Sequence, residues 1–221
     1  MIKLERISVM NMENAIRGAR NPMNSWDRGD SYSTISYEDE LEYEDCLPRF
    51  VMGENDLGLA RRLIKAGSDH RKFLRQIFVS VDITAPLYWW KEYDTYKVST
   101  TANSCSTMHK IHAKEFTKED FSFEHTDNMC SWHIESILNV LNASREKFLE
   151  TKDKKHWWNM IQFLPSSYNQ LRTCTLTYET LLNQYHARKH HKLDEWHTYC
   201  DWIESLPYFK EMCLEGEADG N

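Results

Sequence analysis

Residues 77–84 read IFVSVDIT, an apolar–polar alternation that suits an extended strand with one buried face, and Ala85-Pro86 closes it. Farther on, residues 133–151 follow a different period. Ile134, Ile137, Leu138, Leu141 and Phe148 fall along one side of a helix, and residues 154–164 continue helically up to Pro165. A chain carrying both periods, with its helices gathered in the second half, is expected to be α+β: a small sheet packed with several long helices. The 221 residues are 41% hydrophobic and include eight Trp, eleven Tyr and nine Phe, enough for a sizeable core. No Pro/Gly/Ser-rich linker divides them, so a single domain over residues 1–221 is expected.

Residues 1–54 show the weakest periodicity and read as an irregular N-terminal region. A strand or helix is expected over residues 2–9, and an ordered loop over the turn-rich residues 17–30. Residues 37–45 hold six carboxylates in nine positions and read as a solvated face. From Asn55, taken as an N-cap, Leu57, Ala60, Leu63 and Ile64 mark a helix that Gly67 stops. Ser68 is the expected cap of a short helix carrying Phe73 and Leu74, while residues 87–90 suit either a strand edge or a first helical turn. The last long helix is expected from about residue 177 to 204, with Leu181, Tyr185, Arg188, Lys192, Trp196, Tyr199 and Ile203 on its stripe. Residues 215–221 form a tail expected to be disordered.

The formal net charge of −7, with cations scattered among acids, argues against a protein that coats long nucleic acids, though a local cluster suffices for one nucleotide. The start lacks the apolar run of a signal peptide, and no stretch approaches the roughly 20 apolar residues of a membrane span. A cytoplasmic location is expected. Cys46, Cys105, Cys130, Cys174, Cys200 and Cys213 are widely spaced without a Cys-x-x-Cys pair, so they read as reduced thiols.

Two polar constellations stand out. Arg188 and Lys192 are one helical turn apart, flanked by His186, His190 and His191, and Asn183 lies five residues upstream. They suit either an anion or heterocycle site, or cations that extend from an amphipathic helix to water. His186 and His190 have the i, i+4 spacing of zinc ligands, but a third ligand is unassigned and no metal site is expected. The second constellation, residues 94–109 (DTYKVSTTANSCSTMH), crowds hydroxyl, amide and thiol groups between Lys97 and His109 and reads as a loop offering many donors. Cys105 there suits a passive thiol better than a nucleophile, because no orienting third group or oxyanion element accompanies it. Trp89–Trp90 and Trp157–Trp158 read as core packing before ring stacking on a ligand.

The order of these segments resembles the flavin-dependent thymidylate synthases. Ala85-Pro86 is followed by Thr95-Tyr96-Lys97, then by Thr101-x-Asn103-x-x-Ser106. Leu164-Pro165, Thr177 and Leu181-Leu182 lead to Asn183, Arg188 and Leu193-Asp194-Glu195-Trp196. The agreement spans residues 55–205. Against the family's arginine-histidine-arginine signature this chain has Thr95, Tyr96 and Lys97. Ser104 stands where the family has an acid, and Met108 where it has the final arginine. The upstream element is reduced to Ser68-x-His70, with Phe73 at the position of its glutamate.

The resemblance implies an α+β fold assembled as a homotetramer. It also implies an enzyme that transfers a one-carbon unit from methylenetetrahydrofolate to dUMP through FAD, with NADPH as reductant. Carried over residue by residue, Arg188 would be the catalytic and pyrimidine-orienting cation. Asn183, Lys97, Asn103 and His70 would hold the flavin, and Ser104, Ser106 and Lys192 would join Arg188 around the nucleotide. Two other readings stay open: a nucleotide-binding relative without the standard activity, and a helical interaction protein that uses its aromatic surface.

Overall fold

The computed structural model describes residues 2–35 and 48–215. The acidic run at residues 37–45 and nearly all of the tail lie outside the described residues. In chain order the elements are β1 (Lys3–Met10), α1 (Met12–Ala19), β2 (Tyr32–Ile35), β3 (Pro48–Val51), α2 (Glu54–Lys65), β4 (Phe78–Pro86), α3 (Leu87–Tyr93) and β5 (Thr101–Ser104). There follow α4 (Asn128–Thr151), α5 (Lys154–Phe163), β6 (Asn169–Thr177), α6 (Tyr178–Arg188), α7 (Asp194–Ser205) and α8 (Phe209–Cys213). The architecture is α+β, with a four-stranded sheet in the order β1-β4-β6-β5. A separate hairpin pairs β2 with β3, antiparallel, in the register Ser33↔Phe50 and Thr34↔Arg49. Among the described residues no helix is long and apolar enough to cross a membrane.

Two compact units emerge, each discontinuous in sequence, and the chain passes between them inside β1, β4, β5 and β6 and after residue 97. The first comprises residues 1–5, 82–97 and 102–174. Its core gathers Ile134, Leu138 and Leu141 from α4 and Met160 from α5 around Ile111, Phe116 and Phe121. Asp127 starts α4 by accepting from the Cys130 N–H, and Asp153 starts α5 by accepting from the Lys155 N–H. In α3, Trp89, Trp90 and Tyr93 are buried and mutually in ring contact. The Trp90 indole N–H donates to the Gln170 carbonyl at 3.0 Å, and the Arg172 guanidinium lies over the Trp90 ring at 4.1 Å. The open choice at residues 87–90 therefore resolves as a helix, and Trp89–Trp90 as core.

The second unit comprises residues 6–81, 98–101 and 175–221. Its core takes Leu57, Ala60 and Ile64 from α2, Leu181 and Leu182 from α6, Trp196, Tyr199 and Ile203 from α7, and Phe209 and Met212 from α8. Tyr178 locks the start of α6. Its N–H donates to the Ile77 carbonyl, its hydroxyl to the Pro207 carbonyl at 2.8 Å, and its ring meets Phe209 edge-on.

Residues 1–54 are far from irregular: they hold β1, α1, β2 and β3, and α1 runs through Arg17 into the segment expected to be a loop. What organises this region is a buried ion pair. Arg20 Nε donates to Asp56 Oδ1 at 2.6 Å, while Asp56 Oδ2 accepts from the Ser31 hydroxyl at 2.6 Å and the Ser31 N–H at 3.0 Å. Asp30 in turn accepts from the Asn55 and Asp56 N–H groups, so a carboxylate distant in sequence caps α2. Asn55 is thus released from the capping role assigned to it and sits inside the helix, with Gly53 at the cap. A Cβ on Gly53 would lie 2.1 Å from Asp30 Cγ, so only glycine admits this carboxylate. Gly67, at φ 102°, follows the C-cap of α2 as expected. The short helix expected after Ser68 forms instead as a 3₁₀ segment, Lys72–Gln76, with Phe73 and Leu74 buried.

Burial raises the Asp56 pKa, but the Ser31 hydroxyl, Arg20 and two backbone N–H groups outweigh it and leave the carboxyl below its ordinary value. A depressed folded-state pKa gives stability that is present above the unfolded pKa of about 3.9 and is lost as pH falls through the folded value. Asp56→Asn, which strands Arg20 in a buried site, is expected to cost about 3 kcal/mol at neutral pH and to flatten the acid limb of a denaturation series. An unchanged acid limb would assign that limb to other groups. Gly53→Ala is expected to lower stability by about 1–3 kcal/mol through overpacking against Asp30, read as a fall in melting temperature.

Candidate functional site

The expected site residues divide between the two units. Lys97, Asn103, Ser104 and Ser106 belong to the first; His70, Asn183, Arg188 and Lys192 belong to the second.

In the second unit the site is built on α6. Thr177 caps it by accepting from the Thr180 N–H, and Glu179 in its first turn is nearly buried, with a side chain 11% exposed. Its carboxylate faces two arginines: Arg71 Nε donates to Oε1 at 3.0 Å, and Arg75 Nε stands 3.5 Å from Oε2. One turn along, the Asn183 side-chain carbonyl accepts from Arg71 Nη2 at 3.3 Å. Glu179 and Asn183 are i, i+4 and share a face, so Asn183 joins the arginine cluster. Arg188, five residues from Asn183, is rotated well away on the same helix. Its guanidinium lies 4.7 Å over the Trp196 ring, a cation–π contact with α7. The structure therefore brings Asn183 together with Arg71 and Glu179, and Arg188 together with Trp196. His70 and Lys192 are exposed.

The single helix expected over residues 177–204 is two helices. Lys189 caps α6, the His191 N–H donates to the Arg188 carbonyl, and the Leu193 N–H donates to His191 Nδ1 at 3.2 Å. The physical signal lay in the charges. His186 and Arg188 complement a helix C-terminus, whereas Asp194 and Glu195 complement the next N-terminus. On α7 the Tyr199 hydroxyl donates at 2.8 Å to the fully buried Gln184 side chain.

Residues 94–109 are not all loop: Thr101–Ser104 form β5, an exposed strand at the edge of the sheet order, carrying Asn103 and Ser104. Lys97 is exposed ahead of it. Ser106 turns the chain sharply, its hydroxyl accepting from the Met108 and His109 N–H groups at 3.2 and 2.9 Å. The preceding residue is pinned on both sides, since the Cys105 N–H donates to the Leu171 carbonyl and Gln170 Nε2 donates to the Cys105 carbonyl. Ser106 and Cys105 line a cavity of about 270 Å³ with Lys114, Asp120, Tyr168 and Gln170. Lys114 pairs with Asp120, which raises the lysine pKa. Burial, then the Asp120 charge, pushes the Tyr168 phenol above its ordinary value. The cavity wall mixes apolar surface with hydroxyl, amide and paired-charge groups, and suits a ligand that carries hydrogen-bonding groups on an apolar frame.

Sequence reasoning missed Arg71, Arg75 and Glu179. The available signal was the two arginines four apart in HRKFLR, matched by the single acid of residues 177–188.

No protein-family model matches the chain, and no curated protein matches it. Solved structures do. Thymidylate Synthase X from Helicobacter pylori, solved with FAD and dUMP, superposes with a TM-score of 0.69 over 97% of each chain at 13% identity. A flavin-dependent thymidylate synthase from Helicobacter pylori, complexed with FAD and dUMP, gives 0.65 over 97% of each chain at 14% identity. The UMP/dUMP methylase PolB from Streptomyces cacaoi, bound with 5-Br dUMP, gives 0.58 over 92% of this chain and 88% of its own at 13% identity. At such identities the likeness shows the fold: over nearly its whole length this chain is folded like the flavin-dependent thymidylate synthases.

Proposed function

We propose that the protein is a flavin-dependent thymidylate synthase-like methyltransferase, acting on dUMP to give dTMP. The observation that carries this reading is the fold shared over 97% of the chain with a synthase solved with FAD and dUMP. Support at the level of residues comes from α6, which carries both Asn183 and Arg188 at the spacing on which the resemblance rests. The residues present fit a flavin: Asn183 offers an exposed amide whose carbonyl is already oriented by Arg71, and Arg188 offers a planar cation. Bound FAD would relay a one-carbon unit from methylenetetrahydrofolate and supply the hydride, with NADPH restoring it.

The chain's own contribution is position and charge. Arg188, held by its cation–π contact with Trp196, offers a planar set of donors to a pyrimidine edge and counters negative charge developing on the ring. Ser104 and Ser106 supply hydroxyls to the nucleotide, and Lys192 adds charge beyond Arg188. Asn103, His70 and Lys97 complete the flavin contacts, Lys97 as a point charge without the arginine fork. Each chain supplies only part of this shell, so the working form is a homotetramer, placed in the cytoplasm.

A second reading, binding without the standard turnover, is favoured by one observation: Thr95, Tyr96 and Lys97 occupy the family's arginine-histidine-arginine positions. Product analysis separates the two, since only the first gives dTMP.

The purified protein is expected to absorb in the flavin region of the visible spectrum, as isolated or after addition of FAD. A colourless protein that takes up no FAD overturns both the flavin and the synthase reading. In calorimetric titration with dUMP, Arg188→Gln is expected to lose roughly 2–4 kcal/mol of binding while Lys192→Gln loses less than about 1 kcal/mol. A folded Arg188→Gln that binds as wild type returns Arg188 to a structural role beside Trp196. Light scattering at micromolar concentration is expected to give four chains, and a strictly monomeric mass removes the shared-shell model.

A further inference from the structure

The contact between Glu179 and its two arginines is lopsided. Arg71 is mostly covered and held on two sides, donating from Nε to Glu179 and from Nη2 to Asn183. Arg75 is half-exposed, its side chain 47% accessible, and among the described residues its hydrogen bond runs from Nη2 to the Ser68 carbonyl at 3.1 Å. Glu179 Oε2 is buried and makes no hydrogen bond; what faces it is Arg75 Nε at 3.5 Å. A guanidinium carries five N–H donors, so Arg71 keeps three beyond its protein partners and Arg75 keeps four. Two cations share one carboxylate, which leaves one positive charge uncompensated within the cluster.

We infer that Arg71 and Arg75 form a clamp for a diphosphate group, and that Glu179 is an internal competitor for the Arg75 arm. The inference rests on the flavin reading for the identity of the natural ligand, and on the geometry alone for the diphosphate chemistry. Arginine's planar fork matches phosphate oxygens two at a time, and a diphosphate brings more charge and more acceptors than one carboxylate. Arg71, fixed by Glu179 and Asn183, is the wall of the clamp; Arg75, tied to Glu179 by an ion pair without hydrogen-bond geometry, is the part that moves. Lys72 and Asp69 are exposed on the same segment and flank the clamp with opposite charges. Binding transfers Arg75 from Glu179 to the ligand, while Arg71 continues to neutralise the buried carboxylate.

The test is calorimetric titration of the full chain with inorganic pyrophosphate, with melting temperature as the folding control. Arg75→Gln, at an exposed position, is expected to fold and to weaken binding about tenfold, and Glu179→Gln to tighten it about tenfold by removing the competitor. Should Glu179→Gln not fold, Glu179→Asp, which withdraws the carboxylate by one methylene, is expected to move affinity the same way. Wild type that binds no pyrophosphate, or a folded Arg75→Gln that binds it equally well, overturns the clamp. Inorganic phosphate binding as tightly as pyrophosphate overturns the diphosphate assignment. FAD uptake separates this from the preceding reading: Arg75-dependent pyrophosphate binding without FAD uptake sinks the flavin and keeps the clamp. FAD uptake with no pyrophosphate binding does the reverse.

Discussion

Glu179 is a charge that the fold has to neutralise. A carboxylate with so little exposure is tolerated only with a cation beside it, because desolvating a lone ionised group costs several kcal/mol in effective terms. Arg71 meets that demand at 3.0 Å, and the consequence reaches beyond the pair. With Arg71 anchored to the first turn of α6, the 3₁₀ segment Lys72–Gln76 packs against that helix, and Phe73 and Leu74 enter the core of the second unit. The chain then leaves through Ile77, whose carbonyl accepts from the Tyr178 N–H at the start of α6. Polar pairing and apolar burial therefore agree on one placement of the segment, the mutual support expected of a minimally frustrated sequence.

The same helix has several jobs because it has several faces. Leu181 and Leu182 are buried, Glu179 and Asn183 face the arginines, and Arg188 at the last turn lies over Trp196. That last contact exists only because the chain breaks after Arg188: one unbroken helix would carry Trp196 onto the Arg188 side of the same cylinder, too far along the axis for ring contact, since eight residues rise about 12 Å. The turn at residues 189–193 folds α7 back, and the indole comes to 4.7 Å from the guanidinium.

Regular periods were legible in the sequence, and so were the elements they specify: the strand after Ile77, the helix whose stripe includes Ile134 and Leu141, and the stop at Gly67. What escaped was structure fixed by partners distant in sequence. Nothing local in residues 17–30 announces that Asp30 will cap α2 or that Arg20 will reach Asp56, so the ordered loop was legible but the buried charge that orders it was not. The polar stretch around Asn103 misled in the opposite direction: short polar side chains favour turns, but an edge strand can keep them all exposed while its backbone pairs. Of the candidate site, Asn183 and Arg188 were proposed from their spacing. Arg71 and Arg75 were not, because the reason for their placement is an acid more than a hundred residues away in sequence.

A fold can persist at 13% identity because it depends on few specific side chains. Buried positions need apolar volume, and helix starts need an acceptor at the cap, which Asp127, Asp153 and Thr177 each provide. A ligand site is less forgiving about charge but can be indifferent to address: any cation that reaches the same point in space does similar electrostatic work. Here Arg71 donates to both Glu179 and Asn183 of α6, and Arg75 stands beside the same Glu179.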